Sequence, residues 1–189
     1  MVRQFAILLA LLSLVSCQPG DDNSPVAGAR YPVNMSMGTY TTASFSDFFI
    51  PSAHAAVSDL KLCFKRLRFK KSITDIDDPL VDENVDLNLG QVTLSGAGTT
   101  LSVVNLPADT YYRVEFDLEP TCAGKSVELS NTFGVFSSTE SMKIKFDGVF
   151  LVDGSETLQL GVQDILNAAN GYNGTGSIRT TLQSVSGNL

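Results

Sequence analysis

The sequence predicts a mainly β protein, folded as a single antiparallel β-sandwich with one or two short C-terminal helices. Most apolar side chains after residue 31 recur at every second position, which is the spacing of half-buried strands. Tryptophan is absent and Gly, Ser, Thr and Val are frequent, a composition typical of sheets joined by tight turns. Roughly eight or nine short strands with turn residues between them favour two packed layers of sheet.

The first half of the predicted domain contains two alternating segments. Residues 33–37 alternate between apolar and polar and predict the first strand. Residues 59–69 predict a long strand whose apolar side chains change phase after Phe64. A β-bulge near Lys65 and Arg66 would restore the register, since an offset of one residue otherwise turns every side chain to the other face.

Further strands are predicted over residues 84–89, 91–94 and 99–106. The segment 111–118 has the clearest alternation in the chain. Its even-numbered residues, beginning with Tyr112, are expected to face the core, and its odd-numbered residues are expected to face solvent.

Two Asp-Gly pairs, at residues 147–148 and 153–154, separate apolar runs near the C-terminal end. Asp-Gly is a strong hairpin signal because a type I′ turn needs positive φ at both central residues. The two pairs predict a meander of three strands. The alternative is that residues 146–152 form one bulged strand, with only the second pair acting as a tight turn.

The hydrophobic period changes after Gly161. Apolar residues recur at helical spacing from Val162 to Ala169 and stop before Asn170-Gly171, which predicts a short helix. Ile178, Leu182 and Val185 predict a second helix with Ser177 at its N-terminal cap, although the same residues would also suit a strand.

The N-terminus has the features of a secretory leader. Arg3 provides a positive flank, residues 5–15 form an apolar run too short to span a bilayer, and Ser16 is a small residue at the expected cleavage position. Leu14-Val15-Ser16-Cys17 resembles the lipobox of bacterial lipoproteins. The resemblance implies that residues 1–16 are removed and that Cys17 is acylated. The alternative is an ordinary signal peptide with an incidental cysteine.

After Cys17, residues 17–30 carry Pro, Gly and Asp without any hydrophobic period and predict a flexible tether, followed by the sandwich domain at 31–189. Gln18 follows the cysteine instead of Asp. Among Gram-negative lipoproteins this implies export to the outer membrane, with the periplasmic or the surface face left open. The membrane is therefore an expected partner, through the N-terminal lipid.

Charge and cysteine content narrow the class of protein further. Arg3 is the only basic residue of the leader, so 12 of the 13 Lys and Arg remain against 20 Asp and Glu. Such an acidic chain argues against nucleic acid as a partner. With Cys17 assigned to lipid, Cys63 and Cys122 form an even pair, consistent with a disulfide in an oxidising compartment. The alternative is two buried free thiols, or two thiols that never meet.

No catalytic signature is found. His54 is the only histidine, it lies in an alanine-rich segment, and the chain has no Gly-x-Ser-x-Gly nucleophile motif. We therefore expect a protein that is not an enzyme and that needs no cofactor.

An acidic cluster follows the long predicted strand and includes Asp86. Oxygen-rich loops of this type can hold Ca²⁺, but the EF-hand spacing is missing and Pro79 interrupts the loop. A solvated hairpin loop is therefore favoured, with a calcium site as the alternative. The candidate ligands would be Asp75, Asp77, Asp78, Asp82 and Glu83.

The long strand itself is strongly basic. Its cations would suit an anionic surface such as lipopolysaccharide, phospholipid headgroups or acidic polysaccharide. The simpler interpretation pairs this strand with the acidic cluster that follows it, because opposite charges across a hairpin stabilise the pairing. The candidate anion-binding residues are Lys61, Lys65, Arg66, Arg68, Lys70 and Lys71.

The segment Leu106-Pro107-Ala108-Asp109-Thr110-Tyr111 resembles the Pro-Ala-Gly-x-Tyr corner of transthyretin-like and carboxypeptidase-regulatory-like sandwich modules. Asp109 stands where glycine is usual, a position that Asp tolerates because it visits the left-handed region. Modules of this type recur in bacterial lipoproteins and in fimbrillin-type pilus subunits. The expected function is a non-enzymatic envelope lipoprotein that binds another envelope protein or polysaccharide, or serves a structural role. The alternative is a pilus or adhesin subunit.

Overall fold

The computed structural model describes residues 28–39, 59–74, 76, 78, 80, 82–87, 89–94 and 98–189. Cys17, His54, Asp75 and Asp77 lie outside these residues. The chain is mainly β, as the sequence predicts. Its strands are β1 (Arg30–Gly38), β2 (Asp59–Lys70), β3 (Glu83–Val85), β4 (Gly90–Leu94), β5 (Thr99–Pro107), β6 (Asp109–Leu118), β7 (Val127–Asn131), β8 (Gly134–Ser138), β9 (Met142–Val152), β10 (Glu156–Gly161) and β11 (Ser186–Asn188), and its helices are α1 (Gln163–Gly171) and α2 (Ile178–Gln183).

The strands are hydrogen-bonded into one curled sheet in the order β5-β1-β10-β11-β9-β6-β2-β7-β8, with β3 and β4 also paired to β2. The prediction of a purely antiparallel sheet is wrong, because β1 pairs with β10 in parallel and β11 pairs with β9 in parallel. The two helices explain why β11 runs parallel to β9. They carry the chain away from the end of β10, so that β11 re-enters the sheet between β9 and β10 and runs antiparallel to β10.

Strand β2 changes partner halfway along one of its edges. Its first residues, 59–62, pair with β7, and its later residues, 64–70, pair with β6. The register shifts between Phe64 and Arg66, so the predicted bulge is confirmed. Because of this shift, both Phe64 and Leu67 are buried although they differ in phase.

The interior is one contiguous cluster to which strands from both ends of the sheet contribute, including Val104 of β5 and Leu129 of β7. Aromatic rings fill its middle. Phe116 lies edge-to-face with Phe64 and Phe146 at centroid distances of 4.7 and 5.8 Å. This is a favoured geometry for aromatic pairs and adds roughly 0.5–1.5 kcal/mol per pair beyond the burial of apolar area.

The corner between β5 and β6 is closed by a tyrosine. The Tyr111 hydroxyl donates to the Pro107 carbonyl oxygen at 3.1 Å, and burial raises the pKa of that hydroxyl above its ordinary value. Tyr111 is buried and Tyr112 is exposed, so the predicted orientation of this pair is wrong. Asp109 does not use the left-handed region, because Ala123 is the only non-glycine residue with positive φ among those described.

Both predicted helices are present. Helix α1 packs Ile165, Leu166 and Ala169 into the interior, and α2 packs Ile178 and Leu182. Ser177 occupies the N-cap position of α2, but its hydroxyl donates to Glu140 at 3.0 Å instead of capping the helix.

The predicted disulfide between Cys63 and Cys122 is present, with a Cα–Cα distance of 5.7 Å. Cys63 lies where β2 changes partner, since its N–H donates to Ser126 and its carbonyl accepts from Glu119. Cys122 lies in the connection between β6 and β7, the two strands that share this edge of β2. The disulfide therefore holds the β6–β7 connection against the branch point of the sheet.

We expect Cys63→Ala and Cys122→Ala each to lower the free energy of unfolding by about 4 kcal/mol, given the 59-residue separation. The double variant should lose little more than either single variant, because either substitution alone removes the cross-link. Urea denaturation of the three variants checks this. Additive losses would mean that the two side chains contribute separately and not through a shared bond.

Candidate functional site

The most distinctive cluster of polar side chains lies on β2, β6 and β9, on the side of the sheet opposite the apolar interior. Strand register places opposite charges directly across from one another. Arg68 faces Glu115 between β2 and β6, and Glu115 faces Lys145 between β6 and β9. Cross-strand pairs of opposite charge stabilise a sheet by roughly 0.2–1 kcal/mol each. We call this surface the charged face, and its members are Arg68, Lys70, Arg113, Glu115, Asp117, Lys143 and Asp147.

Glu115 is at the centre of the charged face and is only 1% exposed. Its two carboxylate oxygens are surrounded by four cations. The distances are 3.4 Å to Lys143 Nζ, 3.6 Å to Arg113 Nη1, and 3.9 Å to both Lys70 Nζ and Arg68 Nη1. Burial of a carboxylate costs several kcal/mol unless opposite charges compensate for it, and here four do.

Three further carboxylates compensate the cations around Glu115. Arg68 pairs with Asp117 and Arg113 pairs with Asp147. Lys70, whose side chain is fully buried, lies 3.9 Å from Asp82. The charged face is therefore close to neutral as a whole, which suits a structural role better than capture of a free ion.

The loop after β2 covers part of the charged face. Lys70 Nζ donates to the carbonyl oxygen of Ile76 at 2.8 Å. Asp78 and Asp82 are joined reciprocally, because the Asp78 N–H donates to the Asp82 carboxylate at 2.9 Å and the Asp82 N–H donates to the Asp78 carbonyl at 2.7 Å. These bonds hold the loop over Lys70 and exclude water from it.

The six candidate anion-binding cations are placed along β2 and just beyond it. Arg68 and Lys70 belong to the charged face, and Arg66 pairs with Asp86 at 3.4 Å. Lys61 pairs with Asp59 at 2.9 Å, and their hydrogen bond raises the pKa of Lys61. These pairs agree with the simpler interpretation, in which the basic strand is matched by nearby carboxylates.

The last two of the six candidate anion-binding cations are Lys71 and Lys65. Lys71 Nζ lies 2.6 Å from Asp109, and this hydrogen bond holds the pKa of Asp109 below its ordinary value. Lys65 is half-buried and Arg66 is the one exposed residue of the six. Binding of an anionic surface by these residues stays a prediction.

The described part of the acidic cluster makes contacts with cations. Asp82 lies beside Lys70, and Glu83 pairs with Arg30 at 3.3 Å. Across the described residues, no three His, Cys, Asp or Glu side chains converge to hold a metal ion. Asp75 and Asp77, the other candidate calcium ligands, lie outside those residues.

The sequence interpretation missed Glu115, Arg113 and Asp147 as parts of a site. A signal was present, because the polar faces of three strands carry complementary charges at matching positions. The signal could be recognised only once the strand order was known, since β2, β6 and β9 are far apart in the sequence.

Comparison of the chain with protein-family models, with curated proteins and with solved structures found no match. Among the residues that the structure describes, none of the helices is both long and apolar enough to cross a membrane.

Proposed function

We propose that the chain is a non-enzymatic lipoprotein of the bacterial envelope, in which Cys17 anchors a β-rich binding or structural module to the outer membrane. The observation that carries this proposal is the sequence Leu14-Val15-Ser16-Cys17 at the end of an apolar leader. A lipid-bearing cysteine there would precede the first strand by a short polar segment. The proposal needs no catalytic residue and no cofactor.

The sequence between Cys17 and β1 suits a spacer between the lipid and the module, because it carries Pro, Gly and Asp without a hydrophobic period. The fold begins close to the end of this segment, because β1 starts at Arg30. Whether the module then faces the periplasm or the cell surface is decided by export, not by the fold.

One feature of the fold supports a module that works outside the cytoplasm. The Cys63–Cys122 disulfide persists in an oxidising compartment. The charged face is self-compensated, which suits a stable scaffold. We also propose the finer architecture of a two-layer sandwich, because the partner change of β2 divides the strands into two groups that share one apolar cluster.

We expect Cys17→Ser to move the protein from the membrane fraction to the soluble fraction, because the hydroxyl cannot carry the thioether-linked lipid. Ser16→Ala is the matched control, since it keeps a small residue before the cysteine and should leave the protein membrane-bound. Fractionation after metabolic labelling with a fatty acid measures both outcomes. Unlabelled wild-type protein, or a Cys17→Ser variant that stays in the membrane fraction, would exclude the lipid anchor.

The alternative function, a fimbrillin-type pilus or adhesin subunit, is favoured by one feature of the sheet. Strand β5 has nine residues and, within the part of the chain that the structure describes, pairs only with β1, so no described strand covers its outer edge, on which Val103 is exposed. An open edge of this kind can accept a strand from another subunit. Ladders of polymer on mild SDS gels would support this alternative, and a single monomer band would exclude it.

A further inference from the structure

Strands β9 and β10 are consecutive in the chain and are joined by the short turn at 153–155, yet they form no ladder with each other. Strand β11 separates them at the other end, where Asn188 pairs with Asp147 on β9 and with Gly161 on β10. The two strands therefore diverge from the turn and leave a cleft between them.

The cleft has a volume of about 590 Å³, and the described residues that line it carry no ionisable side chain. Its polar groups are three carboxamides and one hydroxyl, from Gln159, Gln163, Asn188 and Thr157. Its apolar groups include Val149, which is 71% exposed. Ligand clefts commonly measure roughly 300–1,000 Å³ and combine apolar surface with a few polar groups of this kind.

The backbone adds further hydrogen-bonding groups. Strand β1 pairs with one edge of β10 over residues 156–161, and β11 reaches the other edge only at Gly161. Strand β9 is paired to β6 along one edge, and β11 covers its other edge only over residues 145–147. Among the residues that the structure describes, no strand pairs with the remaining edges of β9 and β10, so we infer that their outward N–H and C=O groups can bond to a molecule in the cleft.

One of the carboxamides is fixed in place. The Gln163 amide nitrogen donates to the Asn167 carboxamide oxygen at 2.8 Å, one helical turn further along α1. A carboxamide is both a donor and an acceptor, which matches a hydroxyl group that also donates and accepts. A fixed carboxamide loses less side-chain entropy when a ligand binds.

This combination excludes several classes of ligand. An anion would meet no cationic side chain, and a metal ion would meet no carboxylate side chain, among the described residues that line the cleft. A purely apolar ligand would cover the carboxamides of Gln159 and Asn188 without offering them a hydrogen bond. A continuous peptide strand is blocked at both ends, by the turn at 153–155 and by β11.

We propose that the cleft between β9 and β10 binds a short, uncharged saccharide. Vicinal hydroxyls would bond to the carboxamides and to the strand edges, and the C–H face of the ring would lie on Val149. This inference rests on the proposed function of an envelope binding module and names its ligand class. It is independent of how the module is anchored.

The test is an NMR titration of the full chain in a detergent whose headgroup contains no sugar. The probes are maltose, cellobiose, mannobiose and N,N′-diacetylchitobiose, with a uronic acid disaccharide and an uncharged extended hexapeptide for comparison. We expect at least one neutral disaccharide to shift the backbone amide signals of residues 148–151 and 157–161 in a saturable way. The uronic acid disaccharide and the hexapeptide should leave these signals unchanged.

Two sets of variants, each with its own control, locate the site. Gln163→Met and Asn188→Leu should each raise the dissociation constant by roughly tenfold, whereas Gln91→Met on β4 should not change it. Val149→Trp should fill the cleft and abolish the shifts, whereas Val135→Trp on β8, at an even more exposed valine, should preserve them. The melting temperature of each variant shows that it is folded.

The proposal is overturned if none of the neutral disaccharides shifts these signals, if only the peptide or the charged disaccharide does, or if Val149→Trp binds as the wild type does. The Cys17→Ser variant separates this result from the anchor. If the soluble Cys17→Ser protein binds a saccharide, the saccharide site is supported whatever the anchor proves to be. If the lipid-anchored protein binds no saccharide, the proposed anchor stands and the saccharide site does not.

Discussion

Glu115→Gln is expected to lower the free energy of unfolding by roughly 3–5 kcal/mol, because it removes the one negative charge that four buried or half-buried cations share. The amide keeps the size and shape of the carboxylate, so little of the loss would come from packing. Of the remaining carboxylates, Asp117 pairs with Arg68, Asp147 pairs with Arg113, and Asp82 lies 3.9 Å from Lys70. Lys70 and Lys143 would lose the carboxylate that they share.

Urea denaturation measures this loss, with Glu128→Gln as the control. Glu128 also pairs with two cations, Lys61 and Lys125, but it does so at the surface, where water and salt screen the interaction. The control should therefore cost far less than Glu115→Gln. Equal losses of unfolding free energy for the two variants would mean that the charged face is hydrated. The burial of Glu115 would then add nothing to its contribution to stability.

Features of the fold that depend on neighbouring residues in the chain could be predicted from the sequence. Residues on one face of a regular strand lie an even number of positions apart. The apolar residues of β2 break this spacing halfway along the strand, so the sequence predicts a bulge there. The Asp-Gly pairs predict the region of β9 and β10, and the structure selects the alternative in which β9 continues through Gly148 as one strand. The helical spacing after Gly161 predicts α1 in the same way.

Features that depend on strand order could not be predicted. The alternation in β6 predicts that Tyr112 faces the interior. The pairing of β6 with β9 shifts its register between Tyr111 and Arg113, and Tyr111 faces the interior instead. The parallel pairs require knowledge of where β11 returns after the helices. Local alternation carries no information about which distant strand becomes the neighbour.

The candidate sites could not be recognised in the sequence either, because they too depend on the order of the strands. The sequence places Glu115 on a solvent face, and the alternation is correct, but the surrounding cations and the loop after β2 bury that face. The carboxamides of the cleft come from β10, α1 and β11, and they meet only because β11 enters between β9 and β10. Burial of a polar residue is a property of the assembled sheet.

Gly187→Ala tests the insertion of β11 directly. A methyl group at residue 187 would overlap the carbonyl oxygen of Gly161 on one side and the ring of Phe146 on the other. The first is backbone and the second is a buried ring, so neither can move aside without a shift of β9 or β10. We expect a loss of about 3 kcal/mol or more in the free energy of unfolding, at the upper end of the cost of overpacking.

Gly171→Ala at the end of α1 is the matched control, because its added methyl group would meet no atom within 4 Å. It should leave stability unchanged or raise it by up to about 1 kcal/mol. Hydrogen exchange adds a local measurement. In Gly187→Ala the amide of Leu189, which donates to Asp147 at 3.2 Å, should lose its protection before the amides shared by β6 and β9 do. If Gly187→Ala and Gly171→Ala proved equally stable, with Leu189 protected in both, β11 could not lie between β9 and β10, and the cleft that its insertion creates would have to be abandoned as well.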